Sequence, residues 1–166
     1  MRREAKVAVI MGSDSDLPTM NEAVAVLNRH GITSEVKILS AHRSPGDTAL
    51  FARNARKNGF AVIIAGAGGA AHLAGVVASH TTLPVIGVPM ETKELKGIDS
   101  LLSTLQMPSG VPVATVAIGR TGAKNAAILA LQILGVYDKA VAKKLDAFKK
   151  ELVESVRSKN RSKKAG

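Results

Sequence analysis

The sequence contains no cysteine and no tryptophan. Disulfides, thiolate nucleophiles and cysteine-based zinc sites are therefore excluded. Aromatic side chains are scarce as well: only Phe51, Phe60, Tyr137 and Phe148. Proteins that hold single-stranded nucleic acid stack bases on aromatic platforms, and this chain has little to stack on. No stretch approaches the ~20 apolar residues of a membrane span. The opening run MRREAKVAVIMG sets basic residues before an apolar segment. That segment is short and leads into GSDSD, not a small-residue cleavage site, so it does not read as a signal peptide. The expected location is cytoplasmic, without membrane association.

What the chain does carry is positive charge, a formal +10 over 166 residues. A basic chain points to nucleic acid, a membrane surface or an acidic ligand. The distribution decides between them. Residues 139–166 hold ten basic and three acidic residues, a net of +7, so the rest of the chain carries only +3. The basicity belongs mainly to the carboxyl-terminal segment, and no specific nucleic acid is expected as a partner.

The length suits one domain. Short apolar runs alternate with longer amphipathic ones. Strands are expected at 6–11, 34–39, 60–65, 84–88 and 113–118. Helices are expected at 17–29, 45–57, 98–105 and 123–134. Strands alternating with helices imply crossover connections and a parallel sheet. Near-continuous Val/Ile/Ala runs suit strands covered on both faces. The expected fold is α/β: a flavodoxin-like three-layer sandwich with a parallel five-stranded sheet, plus a carboxyl-terminal amphipathic helix. Residues 1–136 would form a single domain, 137–159 the helix, and 160–166 a disordered basic tail. On that helix Val141, Leu145, Phe148, Leu152 and Val156 form a narrow apolar seam. The seam fits packing on the chain's own domain or on a neighbouring subunit.

In such folds the ligand lies beyond the carboxyl ends of the strands. After the first strand, Gly12-Ser13-Asp14-Ser15-Asp16-Leu17-Pro18 offers hydroxyls and a helix start that can hold a phosphate. Asp16 could accept from ribose hydroxyls. The same residues also suit plain helix capping. After the second strand, Ser44-Pro45-x-Asp47 reads as a helix start, leaving Ser40, His42 and Arg43 on the ligand face. Arginine binds phosphate bidentately. Histidine can give and take a proton within one cycle near neutral pH. After the third strand, Gly66-Ala67-Gly68-Gly69-Ala70-Ala71-His72 matches G-x-G-x-x-A, a dinucleotide fingerprint, but in the third unit where the first is usual. His72 fits either a second titrating group or a core histidine. Residues 90–97 and 106–112 are polar or Pro/Gly-punctuated loops, each a lid or a plain connection.

Taken together, VIMGSDSDLPTM, SAHRSP, VIIAGAGGAAHLAG, PVIGVP, GIDSLLS, QMPSGVPVATVAIG and GAKNAAILA resemble the N5-carboxyaminoimidazole ribonucleotide mutase (PurE) family of purine biosynthesis. The similarity runs over about residues 6–136 without a gap. It implies an isomerase that moves a carboxylate from the exocyclic nitrogen of an aminoimidazole ribonucleotide to ring carbon C4, with no cofactor and no metal. It places Ser13, Ser15 and Arg43 at the substrate phosphate and Asp16 at the ribose. Ser40, Ala67, Gly68 and Ala70 surround the ring and the migrating carboxylate. His72 and Leu73 end the glycine loop, and His42 is the general acid/base. It also implies a homo-octamer with carboxyl-terminal helices packed between subunits. Two departures from the family pattern are Ala74, where Pro commonly follows His-Leu, and Met90-Glu91-Thr92, where Val-Gln-Ser is common. A second family branch carboxylates aminoimidazole ribonucleotide directly with CO2 and usually carries Lys where Arg43 stands. Arg43 therefore favours the mutase. The alternatives are that direct carboxylase and, in another class, a non-catalytic nucleotide-binding module.

Overall fold

The computed structural model describes residues 6–162. The elements run β1 (Lys6–Met11), α1 (Leu17–Arg29), β2 (Ser34–Ile38), α2 (Pro45–Asn54), β3 (Phe60–Ala67), α3 (Leu73–Ser79), β4 (Val85–Pro89), α4 (Ile98–Leu105), β5 (Ala114–Thr115), α5 (Gly119–Gly135) and α6 (Lys139–Ser162). The five strands form one parallel sheet in the order β2-β1-β3-β4-β5. That is the flavodoxin-like order, and its switch point lies beside β1. The described residues fall into two compact units, divided after Ala130 within α5.

β1, β3 and β4 explain the order of burial. Val7, Val9, Ile10, Val62, Ile63, Ile64 and Ile86 are all fully buried, as continuous apolar strands in the middle of a parallel sheet must be. The edges depart from that rule. On β2, Val36 and Ile38 are exposed. β5 is two residues long where six were expected. It pairs only through Ile86–Ala114 and Gly87–Thr115, with one further bond from Val116 N–H to Gly87 O. An edge strand has one neighbour to hold it, and α5 already begins at Gly119.

α2 also stops earlier than its pattern predicts. Residues 55–59 wind out of the helix through Asn58 N–H to Asn54 O and Gly59 N–H to Arg56 O. Gly59 has φ of +89°, which a residue with a Cβ resists. The turn delivers the chain directly into β3.

In the second unit, Asp138 caps α6: its Oδ1 accepts from Ala140 N–H at 2.8 Å and Val141 N–H at 3.2 Å. The helix continues through Ser162, beyond the expected end at 159, and an Arg161–Glu154 ion pair spans its last turns. Residues 163–166 of the expected tail lie outside the described residues. Along the apolar seam Val141 is buried, whereas Leu152 and Val156 are exposed. Among the described residues no helix is long and apolar enough to cross a membrane.

Candidate functional site

The loops at the carboxyl ends of β1, β2, β3 and β4 meet around a cleft of about 450 Å3. Its wall contains Ser13, Ser15, Asp16, Ser40, His42, Arg43, Ala67, Gly68, Ala70, His72 and Leu73, so the site residues that the resemblance implies all line one cavity. Met90 and Glu91 join them from the loop after β4. Of the two lid candidates, this one contributes to the wall.

The loop after β1 folds on itself. Ser13 Oγ accepts from Ser15 N–H at 3.3 Å and from the Ser15 hydroxyl at 3.0 Å, while donating to Asp14 Oδ1 at 3.0 Å. This caps a single 3-10 turn, Asp14–Asp16, before α1. Asp16 occupies the N-cap position of α1, yet its side chain makes no capping bond. Ser13 caps only the 3-10 turn, and Asp16 lies on the cleft wall. Burial raises the Asp16 pKa, and Asp14 nearby adds to the rise. Bonds from the Ser13 backbone and the Ser15 side chain oppose it.

That raised pKa has a stability consequence. The folded state pays for ionising Asp16, and the unfolded chain does not. The penalty is complete above the raised value and vanishes below the ordinary value of ~3.9. Asp16→Asn should therefore raise the melting temperature of the unliganded protein at pH 7. The gain should shrink as pH falls through that window, where the wild-type carboxyl becomes protonated. Thermal melts of both proteins against pH check the sign.

The loop after β2 is tied down by its own hydroxyls. Ser44 was expected to cap α2, but its side chain makes no capping bond there. Its hydroxyl instead donates to Ser40 O at 3.2 Å and its oxygen accepts from Ser40 N–H at 3.1 Å. Thr48 adds a bond to Ser40 O at 3.2 Å. Ser40 Oγ in turn accepts from Arg43 N–H at 3.1 Å and Arg43 Nε at 3.3 Å. Arg43 Nη2 then reaches across to Gly12 O at 2.8 Å. The guanidinium is thus held beside Ser13 and Ser15 in advance of any ligand.

His42 Nε2 lies 2.8 Å from His72 Nδ1, with the rings at 88°. One of these nitrogens donates and the other accepts, so a change of tautomer on one ring must be matched on the other. His72 is exposed at the start of α3. It is therefore a cleft residue and not a core histidine.

The glycine loop does not work as a dinucleotide fingerprint. Gly66 lies inside β3, and α3 begins only at Leu73. Gly69 N–H donates to Ser100 Oγ at 2.9 Å and Ala71 N–H to Ser103 Oγ at 3.0 Å. Ser103 also donates to Gly69 O at 3.1 Å. Backbone groups that a pyrophosphate would need are spent on α4. Gly66 serves packing: a Cβ there would stand 2.6 Å from both Met20 Sδ and Met90 Cε. These α4 serines were missed from sequence because they act from 30 residues away on a helix that reads as ordinary.

The AIR carboxylase family model matches residues 6–155. This chain belongs to the AIR carboxylase family. It is 54% identical over 151 residues to the N5-carboxyaminoimidazole ribonucleotide mutase of Vibrio parahaemolyticus, covering 91% of this chain and 94% of that protein. It is 58% identical over 153 residues to the mutase of Saccharolobus solfataricus, covering 92% and 96%. The crystal structure of Treponema denticola PurE superposes with a TM-score of 0.85 at 27% identity, covering 93% of this chain and 95% of that one. As a member of the AIR carboxylase family the protein is an enzyme, and the family match extends through most of α6.

Proposed function

We propose that this enzyme converts N5-carboxyaminoimidazole ribonucleotide to 4-carboxy-5-aminoimidazole ribonucleotide in purine biosynthesis. The observation that carries the proposal is one cleft that joins a histidine pair to an anchored Arg43, two serine hydroxyls and the Asp16 carboxylate. Relatives that are more than half identical bear the mutase name.

Ser13, Ser15 and Arg43 take the substrate phosphate. Charge-assisted bonds from a guanidinium already held in place lose little freedom on binding. Asp16, ionised, accepts from the ribose hydroxyls. The ring and its carboxylate lie against Ser40, Ala67, Gly68 and Ala70, with His72 and Leu73 closing that side. Small side chains let the backbone approach the ring closely.

The reaction then needs one proton carried both ways. The carbamate C–N bond breaks, releasing CO2, and the exocyclic nitrogen gains a proton from His42. Ring carbon C4 attacks the captive CO2, and the new C–C bond forms. The C4 proton returns to His42, which restores the enzyme. Atoms and charge balance without an added reactant. Holding the two fragments together makes recombination effectively intramolecular, and excluding water keeps CO2 from hydrating.

A homo-octamer with α6 helices between subunits is part of the proposal. It would cover Leu152 and Val156, which stand exposed in the single chain.

The test is turnover. Purified protein given the carbamate substrate should form the C4 carboxylate without added bicarbonate. Product formed only from aminoimidazole ribonucleotide and high CO2 would instead assign the direct carboxylase, and bound nucleotide with no product would assign a binding module.

A further inference from the structure

A second cavity, of about 490 Å3, opens where α2 and α3 end. Its wall is Arg53, Arg56, Ser79, His80, Thr81 and Thr82, and it shares no residue with the cleft around His42. The side chains are all polar and none is acidic. Among the described residues no carboxylate forms an ion pair with Arg53 or Arg56.

The hydrogen-bond directions set the chemistry. Arg56 Nη2 donates to Thr82 O at 3.2 Å and Thr82 Oγ1 at 3.0 Å, which fixes the guanidinium against the loop after α3. Thr82 Oγ1 accepts from Arg56, and Thr81 Oγ1 accepts from Leu83 N–H at 3.2 Å. Each hydroxyl hydrogen therefore remains to be given to a ligand. Arg53 sits in the last turn of α2 and Arg56 in the turn that follows it, and both line the same cavity. Donors dominate the wall, from the end of α2, the turn after it and the loop after α3, although the Ser79 hydroxyl is already given to Val76 O at 2.8 Å.

A plain alternative is that the arginines only offset the negative carboxyl ends of the helices. Each helix end carries about half a negative charge. Two full guanidinium charges exceed that by about one unit, and the threonine donors would have no part in it. A carboxylate monoanion would use only part of such a wall. A tetrahedral dianion accepts several charge-assisted bonds from different directions at once.

We propose that this cavity binds a phosphate group, as the free ion or as a phosphate monoester. The groove has room for more than a bare ion and is open to solvent, with Arg53, Arg56, Ser79 and Thr82 exposed along it.

The chain has four histidines, His30, His42, His72 and His80, so the ring signals of His80 can be assigned with a His80→Gln variant and followed by NMR. The full-length protein is titrated with inorganic phosphate, with ribose 5-phosphate, and with chloride at matched ionic strength. The His80 signals should move saturably with the two phosphates and not with chloride. Tighter binding of ribose 5-phosphate assigns the site to a monoester, and equal binding assigns it to the free ion; either supports the site. Arg53→Ala should weaken the response at least ~10-fold with the melting temperature unchanged. Arg53 carries this test because Arg56 also ties the loop. Signals that fail to saturate, that follow chloride equally, or that titrate unchanged in Arg53→Ala overturn the proposal. The readout is local to His80, so its failure is distinct from failure of the mutase reading.

Discussion

His42→Asn should lower turnover by at least ~10³-fold while the substrate still binds. The size follows from the role: general acid–base catalysis contributes ~10²–10⁴-fold, and here one group both gives and takes the proton. Asparagine can keep a hydrogen bond across the cleft but cannot carry a proton away. His72, at 2.8 Å from His42 Nε2, remains in the cleft and offers the only other imidazole on its wall. If His72 could substitute, the variant would retain much of its activity. Single-turnover kinetics beside equilibrium binding of the same variant separate these outcomes. Residual turnover within ~10-fold of wild type would remove His42 from the proposed role.

Arg43→Ala should act on affinity instead. The substitution removes a charged donor to the phosphate, worth ~1.5–3 kcal/mol, or roughly 10- to 150-fold in binding. It also removes the bonds to Gly12 O and Ser40 Oγ that hold the loops after β1 and β2 together. The expected result is KM raised toward the upper end of that range with kcat changed far less. Loss of turnover at unchanged affinity would contradict a phosphate-binding role and place Arg43 in the chemistry. Arg43→Lys separates charge from geometry, because lysine keeps the charge but cannot bond Gly12 and Ser40 as a fork.

Much of the fold was readable because periodicity reports burial. β1, α1 and α4 have the expected bounds, since each combines a clear apolar pattern with strong flanking signals. Where pattern and packing compete, packing prevailed. The apolar run at 113–118 suggests a long strand, but an edge position leaves β5 only two residues. Ser44 has the local signature of a cap, yet its hydroxyl is used to close the turn at Ser40.

In the site, the legible part is what local sequence carries: hydroxyls, an arginine and histidines in loops after strands. Partnerships across the chain were not legible from spacing. The His42–His72 contact joins residues 30 apart, and Ser100 and Ser103 reach the glycine loop from more than 30 residues away. Glu91 sits on the cleft wall because the loop after β4 folds toward it. No periodicity announces that, although Glu91 was visible as a departure from the family pattern. The formal charge of +10 points toward nucleic acid until it is divided along the chain. After division, the positive group that matters for the proposed chemistry is Arg43.

The central claim is that CO2 never leaves the cleft between the bond that breaks and the bond that forms. It is tested most directly with substrate whose carbamate carbon is labelled with 13C, turned over in an excess of unlabelled bicarbonate. The account predicts that nearly all of the label appears in the C4 carboxylate of the product. Product carrying mainly unlabelled carbon would contradict it, because the carboxylate would then come from solution and not from the substrate.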